Sequence, residues 1–303
     1  MGSNLIEHWL PKGYEIMVID NFATGKREVL PKMKNLHVTE GSVADESLMK
    51  ELFDKFDPEL IVHSAASYKD PTNWIEDTST NVVGAVRVAK ESLRKGVKRV
   101  INFQTALCYG RPQAIPVPID HPLNPFTSYG ISKTAGESYL LRSGLPVVSL
   151  RLANICGPRL AIGPIPTFYK RLKAGQSCFC SDTSRDFLDM SDFLMLMDIL
   201  LESPNIPLGV FNISTGEGHT IKEIYDTVAK YLNFAVAEVP IVPPSNDDVP
   251  AMILDPTQTE RILGWKASIS FEETITRQLQ WYDAHGVSDV FSHLAHPKEE
   301  GVH

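Results

Sequence analysis

The 303-residue chain is 43% hydrophobic and 22% charged, so it can bury a substantial core as one large domain or as two unequal lobes. Its formal charge of -8 provides no basic surface for nucleic acid and no polybasic segment for an anionic membrane, which leaves a small soluble ligand as the expected partner. No apolar run reaches the roughly eighteen residues of a membrane helix, and no signal peptide pattern is present, so we expect a cytoplasmic protein.

The chain begins with MGSNLIEHWL, an amphipathic run that predicts a helix with no strand before it. Short apolar runs then alternate with helix-length segments, a pattern typical of βαβ units whose parallel sheet has helices on both faces. The predicted strands of this part are residues 15–20, 36–40, 60–64, 99–104 and 147–152. The predicted helices are residues 46–55, with the N-cap type Asp45 before them, then 81–95 and 129–142.

After residue 152 the pattern loosens into a glycine- and proline-rich stretch, followed by a predicted strand at 209–213 and helices at 220–232 and 271–282. We predict an α/β fold: a Rossmann-like doubly wound parallel sheet with a smaller α+β lobe over the carboxyl ends of its strands, where open sheets bind ligands. The sheet domain is predicted to comprise residues 1–156 plus 186–213, and the second lobe residues 157–185 plus 214–303. The tail HPKEEGVH is expected to be disordered.

The four cysteines, Cys108, Cys156, Cys178 and Cys180, lack the two well-spaced pairs of a structural zinc site. Cys178 and Cys180 also enclose too short a loop for an easy disulfide. We therefore predict four reduced thiols, mostly in packing roles, and no metal site.

Asp20 ends the predicted strand that contains VID, where its carboxylate would accept hydrogen bonds from a ribose diol and repel a 2′-phosphate. This favours NAD over NADP, although an acid after a strand is more often a helix cap or lies in a solvated turn. The NFATGKRE that follows supplies backbone amides, and Lys26 and Arg27 could border the adenosine side or lie in a simple surface loop.

The strongest pattern is YGISK, which places Tyr129 and Lys133 one helical turn apart on one face. We expect the ammonium to lower the phenol pKa from about 10, so that Tyr129 can take a proton from an alcohol as hydride leaves the carbon. A lone YxxxK match is more often a surface pair. However, Thr105 in the upstream NFQTALCYG ends a predicted strand and could share the substrate oxygen.

Together these residues resemble the extended short-chain dehydrogenase/reductase family, in its NAD-dependent nucleotide-sugar epimerase and dehydratase branch. HSAA, GSVAD, TNVVGA, RLANICGPR and RDFLDMSD resemble further family segments in family order. The resemblance implies catalytic roles for Thr105, Tyr129 and Lys133. It implies NAD contacts from Tyr129, Lys133, Gly2, Asp20, Asn21, Phe22, Ala23, Thr24, Gly25, Ser42, Val43, Ser64, Ala65, Ala66 and Asn81. It implies substrate contacts from Thr105, Tyr129, Asn154 and Arg185, while Asp186 and Asp192 would position the local backbone.

In that family, Tyr129 would take the 4-hydroxyl proton as the C4 hydride goes to NAD, which leaves a bound 4-keto sugar. The 4,6-dehydratases carry an Asp-Glu pair directly after the active-site threonine, whereas Ala106 and Leu107 follow Thr105 here. The resemblance therefore favours a 4-epimerase, whose keto sugar rotates and receives the same hydride on its other face. It also implies a homodimer through the helices that begin near Asn81 and Tyr129.

Two segments depart from the family pattern. Family members open with a strand and G-x-x-G-x-x-G, but here only Gly2 matches, as the last glycine. In the strand order 3-2-1-4-5-6 the first strand is central, so its absence would leave two strand edges unpaired; we expect a shortened chain or a damaged fold. In the late loop PPSNDDVP, Ser245, Asn246 and Asp247 replace a phosphate-binding arginine, so that role would pass to Arg185, with help from Lys170 or Arg171.

The leading hypothesis is NAD-dependent C4 epimerisation of a UDP-hexose, with N-acetylated and uronic sugars as candidates, for surface polysaccharide synthesis. Another nucleotide-sugar dehydratase, decarboxylase or reductase of the same branch is the alternative among enzymes. A truncated, non-catalytic chain is the alternative from another class.

Overall fold

The first half of the chain alternates helices with parallel strands, as predicted. The computed structural model describes residues 1–68, 70–235, 238–245 and 248–291. Strands of this half are β1 (Ile16–Asp20), β2 (Leu36–Glu40), β3 (Leu60–His63), β4 (Arg99–Thr105) and β5 (Val147–Leu152). Its helices are α1 (Gly2–Trp9), α2 (Glu46–Phe56), α3 (Trp74–Asp77), α4 (Gly84–Lys95) and α5 (Ser128–Arg142), with a π-helical segment, Thr78–Val83, between α3 and α4.

The described residues of the second half form mostly shorter strands and five more α-helices. Its strands are β6 (Asn154–Cys156), β7 (Cys180–Ser181), β8 (Ser184–Arg185), β9 (Phe187–Asp189), β10 (Gly209–Ile213), β11 (His219–Thr220), β12 (Ile241–Val242) and β13 (Ala251–Met252). Its helices are α6 (Pro164–Lys173), α7 (Met190–Glu202), α8 (Ile221–Tyr231), α9 (Thr257–Leu263) and α10 (Phe271–His285). Asn246, Asp247 and the predicted disordered tail lie outside the described residues.

The parallel sheet is interrupted. Strands β10, β5, β4 and β3 form one four-stranded sheet, and β1 and β2 form a separate parallel pair. Within the described residues no backbone hydrogen bonds pair β1 with β3. The facing edges of β1 and β3 are the two strand edges that the family strand order predicts to be unpaired.

Helices cover both faces of the sheet, which explains why the strands are continuous apolar runs. On one face Leu5 and Trp9 of α1 pack with Phe103, Leu150 and the buried side of α7. On the other face, side chains of α2, α4 and α5 form a second core around Val100 and Val147; among them are Met49, Phe53, Val88 and Leu140. The predicted doubly wound α/β fold is therefore confirmed.

A third core joins α6, α8 and α10, with Phe168, Ile224 and Leu279 among its buried residues. Thr220 begins α8 with a capping box, since its hydroxyl accepts from Glu223 N and the Glu223 carboxylate accepts from Thr220 N. Leu263, the last residue of α9, and Trp265 just after it pack into the core of the parallel sheet instead. The exact division into two domains remains a prediction.

The four cysteines are free and buried, as predicted. Burial raises the pKa of the Cys108 thiol to about 12 and that of Cys180 to about 11, so both are protonated at neutral pH. Within the described ranges no helix is long and apolar enough to cross a membrane, and no cluster of His, Cys, Asp or Glu could hold a metal ion.

Candidate active site

The carboxyl end of β4 meets the first turn of α5, and this junction brings Thr105 and Tyr129 together. Thr105 is the last residue of β4, and Tyr129 is the second residue of α5, after the N-cap Thr127, whose hydroxyl accepts from Gly130 N at 3.1 Å. The Thr105 hydroxyl lies beside the Tyr129 phenol and interacts with it. A phenol and a hydroxyl thus share one position where a substrate oxygen could bind.

The protonation of Tyr129 differs from the sequence-based expectation. Burial raises the pKa of the phenol above its usual range, Tyr68 and Asp77 raise it further, and the Thr105 hydroxyl acts in the opposite direction. The expectation that the Tyr129 phenol has a lowered pKa is therefore wrong, because desolvation penalises the phenolate. Tyr129 is a neutral hydroxyl here, and its ring packs edge-on against Tyr68 at 6.1 Å between centroids.

Lys133 lies one turn further along α5 with only 5% of its surface exposed. Burial lowers the pKa of its ammonium to about 8, with Glu137 acting in the opposite direction. Gln104 fixes this turn of the helix to β4, because its amide donates to Lys133 O at 3.1 Å and accepts from Thr105 N at 2.8 Å. One buried amide thus positions both Thr105 and the backbone of Lys133.

Asn81 uses its whole side chain to connect the loop after β3 with α5. Its Oδ1 accepts from Ser67 N, and its Nδ2 donates to Ser67 O and to Ser132 Oγ, each at 2.9 Å. Asn81 is 2% exposed. Its buried amide therefore positions the loop after β3 against α5. Gly136 permits the approach, because a Cβ there would lie 2.3 Å from Asn81 O.

Asp77 is a second connection that the sequence analysis missed. Its two carboxylate oxygens accept from Ser67 Oγ at 2.8 Å and Ser128 Oγ at 2.7 Å, and it is 1% exposed. The sequence did contain a signal for this role: Asp77 stands four residues before Asn81 in the same helical stretch. Residues four apart share one helix face, so both side chains could reach the same neighbours. Together Asp77 and Asn81 connect the loop after β3 to the first turns of α5.

The NAD side of the candidate site fits a ribose at the end of β1. Asp20 uses Oδ1 to accept from Phe22 N at 2.8 Å, and a Cβ on Gly25 would lie 3.2 Å from Asp20 Oδ2. Glycine at position 25 therefore leaves room beside the second carboxylate oxygen. Asn21 closes the turn by accepting from Ala23 N at 3.1 Å, and Thr24 lies between Ala23 and Gly25 in the same exposed loop.

Lys26 and Arg27 lie at the surface of this loop. Lys26 pairs with Asp289 at 2.5 Å, while Arg27 lies 5.7 Å from the centroid of the Phe22 ring and 3.4 Å from Glu40. On the neighbouring β2 side, Ser42 Oγ accepts from Ala44 N at 3.2 Å. Val43 is 8% exposed and packs into the core, with its Cγ2 2.6 Å from the position that a Cβ on Gly84 would take.

The diphosphate side fits the amino end of α1. A Cβ on Gly2, the first residue of that helix, would lie 3.8 Å from Ser64 Oγ, so the helix begins beside the loop after β3. Met1 supplies no side-chain cap to the first turn. The positive end of the helix dipole there suits an anion such as a diphosphate. Ala65 and Ala66 continue the loop from Ser64.

His63 ends β3 beside this region with 3% of its surface exposed, and its Nε2 has no hydrogen-bond partner within the described residues. Burial, with the nearby Lys133 charge, lowers the pKa of His63 to about 3. The imidazole is therefore neutral at physiological pH.

Asn154 and Arg185, the two remaining predicted substrate residues, lie on β6 and β8. Asn154 is exposed and donates through Nδ2 to Asp186 O at 2.9 Å. Arg185 is largely buried, donates to Ser184 O at 2.8 Å and forms an ion pair with Asp248 of the late loop. Asp248 is thus a partner of Arg185 that the sequence analysis missed, and it follows the two undescribed residues of that loop.

Three charged residues near these strands, Arg171, Asp186 and Asp192, form hydrogen bonds to neighbouring backbone. Arg171 Nε donates to Ser177 O at 2.7 Å, and Lys170 is exposed. Asp186 accepts from Thr215 N at 3.1 Å and from Gly216 N at 2.9 Å, although burial still raises its pKa to about 6. Asp192 accepts from Ser268 N and Ile269 N. The prediction that Asp186 and Asp192 position local backbone is confirmed.

A buried polar network connects α5 to the strands on which it packs. Glu137, one turn after Lys133, binds Arg151 at 3.0 Å and accepts from Ser149 Oγ at 2.6 Å. Arg151 donates to Tyr109 OH at 3.0 Å, and that hydroxyl donates to Asn212 at 2.7 Å. The network thereby joins α5 to β5 and β10.

The chain is similar to known enzymes over nearly its whole length. The UDP-glucose 4-epimerase of Mycolicibacterium smegmatis is 30% identical, covering 93% of this chain and 95% of that protein. The Bordetella bronchiseptica enzyme WbmG, solved with NAD and UDP, is 65% identical with a TM-score of 0.92, covering 98% of this chain and 96% of that chain. The Thermotoga maritima UDP-glucose 4-epimerase, solved with UDP-glucose, is 28% identical with a TM-score of 0.85, covering 93% and 95%.

A family model described as the NAD dependent epimerase/dehydratase family matches residues 1–214. This match confirms the resemblance stated from the motifs and NAD as the predicted cofactor. The chain belongs to the NAD dependent epimerase/dehydratase family.

Proposed function

We propose that this protein catalyses the C4 epimerisation of a UDP-sugar through a 4-keto intermediate, with NAD as cofactor. The observation that carries the proposal is the position of the Tyr129 phenol beside the Thr105 hydroxyl at the end of β4, with the buried Lys133 one helical turn away. We further propose a hexose substrate, with N-acetylated and uronic sugars as candidates, and a role in surface polysaccharide synthesis.

The three side chains divide the proton chemistry among them. Thr105 and Tyr129 would both bind the 4-hydroxyl. Tyr129 would first release its phenolic proton to solvent, and the resulting phenolate would take the 4-hydroxyl proton and later return it. Lys133, whose pKa is about 8, remains mostly charged at pH 7, and its charge would stabilise the Tyr129 phenolate that must be present before the proton transfer. NAD, when bound, accepts a hydride from C4 and returns it. Asp20 and the amino end of α1 would hold the ribose and the diphosphate.

The residues after Thr105 favour epimerisation over dehydration. Removal of the 6-hydroxyl as water requires an acid beside that oxygen, but Ala106 and Leu107 occupy the following positions. Ala106 is 7% exposed and has no proton to donate. Epimerisation needs no second acid, because Tyr129 serves both directions of proton transfer.

The substrate side supports a sugar diphosphate. The Arg185 guanidinium contacts Ser184 O of its own strand, β8, and forms an ion pair with Asp248. A diphosphate would compete with the Asp248 carboxylate for this guanidinium. The exposed side chain of Asn154 keeps its Oδ1 available while its Nδ2 is held by Asp186 O. UDP is the nucleotide bound in the WbmG structure and UDP-glucose the ligand of the Thermotoga enzyme, which makes uridine the proposed nucleotide here.

The test is a panel of UDP-, dTDP- and GDP-sugars incubated with the protein and NAD, with products identified by NMR and mass spectrometry. We expect interconversion of C4 epimers of a UDP-sugar and its loss in Tyr129→Phe. Tyr139→Phe, an exposed tyrosine on the same helix, is the matched control. Unchanged turnover in Tyr129→Phe, or a product lighter by one water, would contradict the proposed mechanism.

We also propose that the protein is a homodimer through the outer surfaces of α4 and α5. Large apolar side chains are exposed along these packed helices: Leu93 is 50% exposed and Ile131 52%, with Val83 38% exposed just before α4. Burial of this surface against a second copy would remove it from water. Light scattering after gel filtration should give twice the chain mass, and Ile131→Glu should give the monomer. A monomeric wild type would contradict this proposal.

A further inference from the structure

One buried carboxylate lies between the two segments that carry the aromatic residues of the candidate site. Asp77, the last residue of α3, is 1% exposed, and its Oδ1 and Oδ2 accept from Ser67 Oγ at 2.8 Å and from Ser128 Oγ at 2.7 Å. Within the part of the chain that the structure describes, these hydroxyls are its only side-chain partners, and no basic residue forms an ion pair with it. Burial of a carboxylate without a cation is costly, so this position needs a functional explanation.

The two serines stand directly before two tyrosines that contact each other. Ser67 precedes Tyr68 in the loop after β3, and Ser128 precedes Tyr129 at the start of α5. The Tyr68 and Tyr129 rings pack edge to face, with centroids 6.1 Å apart and planes at 64°. The Asp77 carboxylate therefore holds both backbone segments at the point where each one enters the aromatic contact.

The neighbouring amide of Asn81 cannot replace this connection. Asn81 holds the Ser67 backbone, but it reaches α5 only at Ser132, three residues past Tyr129. Among the described residues, Asp77 alone bonds to the Ser128 side chain. A displacement of about 1 Å in a reacting group is enough to cost about a hundredfold in rate, so the position of Tyr129 matters for any proton transfer to it.

We propose that Asp77 is a positioning residue for the epimerisation. By holding Ser67 and Ser128 it fixes Tyr68 against Tyr129, and this contact sets where the Tyr129 hydroxyl meets Thr105. The proposal rests on the proposed function, because Asp77 acts on the reaction only through Tyr129.

The charge of Asp77 has a second consequence for Tyr129. Burial raises the pKa of the phenol, Tyr68 raises it further, and Asp77 acts in the same direction, because a carboxylate disfavours a second negative charge nearby. Lys133, one turn along α5, is the buried cation on the same helix. Removal of the carboxylate charge alone should therefore make the phenolate easier to form.

The experiment compares Asp77→Leu with Asp77→Asn in the full chain with NAD. Leucine can bind neither serine, whereas asparagine can accept from one hydroxyl and donate to the other. With the UDP-sugar of the panel that turns over fastest, kcat of Asp77→Leu should fall at least about tenfold while KM changes less than about twofold, because nucleotide binding is untouched. Asp77→Asn should keep most of the wild-type kcat, and the acid limb of its pH profile should lie at lower pH.

Tyrosine-selective 13C NMR of the ligand-free protein provides a readout that needs no turnover. The signals of Tyr68 and Tyr129, assigned with Tyr68→Phe and Tyr129→Phe, should both move in Asp77→Leu and stay near their wild-type positions in Asp77→Asn. Ser128→Ala is a milder variant for the case in which Asp77→Leu does not fold. It should move the Tyr129 signal and lower kcat.

Asp283→Leu is the matched control. Asp283 also accepts from two hydroxyls, those of Tyr169 and Tyr231 at 2.7 Å each, but it lies on α10, outside the candidate site. Its replacement should move the signals of Tyr169 and Tyr231 and leave kcat, KM and the pH profile as in the wild type.

Unchanged Tyr68 and Tyr129 signals in Asp77→Leu or Ser128→Ala would overturn the proposal, whether or not the protein is an epimerase. A wild-type kcat in Asp77→Leu, or equal losses in Asp77→Leu and Asp77→Asn, would also overturn it. If the wild type turns over no sugar of the panel, the proposed function fails, and the tyrosine signals alone decide whether Asp77 positions the two rings.

Discussion

Removal of the Glu137 carboxylate should destabilise the protein more than removal of the whole ion pair. Glu137→Leu leaves the 7%-exposed Arg151 guanidinium without its carboxylate, a change that costs about 3 to 5 kcal/mol in buried pairs. Domains are stable by about 5 to 15 kcal/mol, so this is a large fraction of the total. In the double variant Glu137→Leu/Arg151→Met no uncompensated charge remains. The expected cost falls to about 1 to 2 kcal/mol, for the Ser149 hydroxyl that loses its acceptor.

Equilibrium urea unfolding, followed by tryptophan fluorescence and far-UV circular dichroism, measures these differences. Turnover should fall in Glu137→Leu, because α5 carries Tyr129 and Lys133. Glu59→Gln is the control, since its ion pair with Lys98 is 71% exposed on both sides and should contribute about 0 to 1 kcal/mol. The reasoning is refuted if Glu137→Leu costs less than about 1 kcal/mol, or if the double variant Glu137→Leu/Arg151→Met is no more stable than Glu137→Leu.

Two further predictions concern the catalytic helix. Gly136→Ala should cost about 1 to 3 kcal/mol by urea unfolding and lower turnover, because its Cβ would lie 2.3 Å from Asn81 O and push the helices apart; unchanged stability and turnover would count against this close approach. Burial lowers the pKa of Lys133 from 10.5 to about 8, so the unfolded chain binds this proton more tightly than the folded protein. Relative to Lys133→Met, the wild-type free energy of unfolding should therefore rise by about 3 kcal/mol between pH 8 and 10.5, and a difference that does not change with pH would contradict the pKa shift.

Local sequence was sufficient for most of the secondary structure. Strands such as Leu36–Glu40 and Val147–Leu152 have the predicted bounds, because apolar β-branched runs between turn residues have few alternatives. The helix predicted from Asn81 begins earlier, at Trp74, and passes through a π-helical segment. Periodicity alone could not show this, because packing of Asn81 against Ser67 and Ser132 decides the path of the chain there.

The candidate site was only partly readable in the sequence. The YxxxK spacing placed Tyr129 and Lys133 on one face, and strand order placed Thr105 near them, because both follow from regular geometry. The ion pair of Arg185 with Asp248 joins residues 63 positions apart, and no local pattern contains that distance. The direction of the Tyr129 pKa shift was also wrong from sequence, since burial outweighed the neighbouring charge.

The sequence by itself determined the fold class, the order of its strands and which residue types stand at the candidate site, because hydrophobic periodicity and residue type act locally. Only the tertiary structure decided which polar groups are buried and paired. It joined Asp77 and Asn81 to the loop after β3, and it paired Glu137 with Arg151 of the neighbouring strand. Desolvation and long-range hydrogen bonding depend on the position of every neighbouring element, and these positions exist only once the chain has packed.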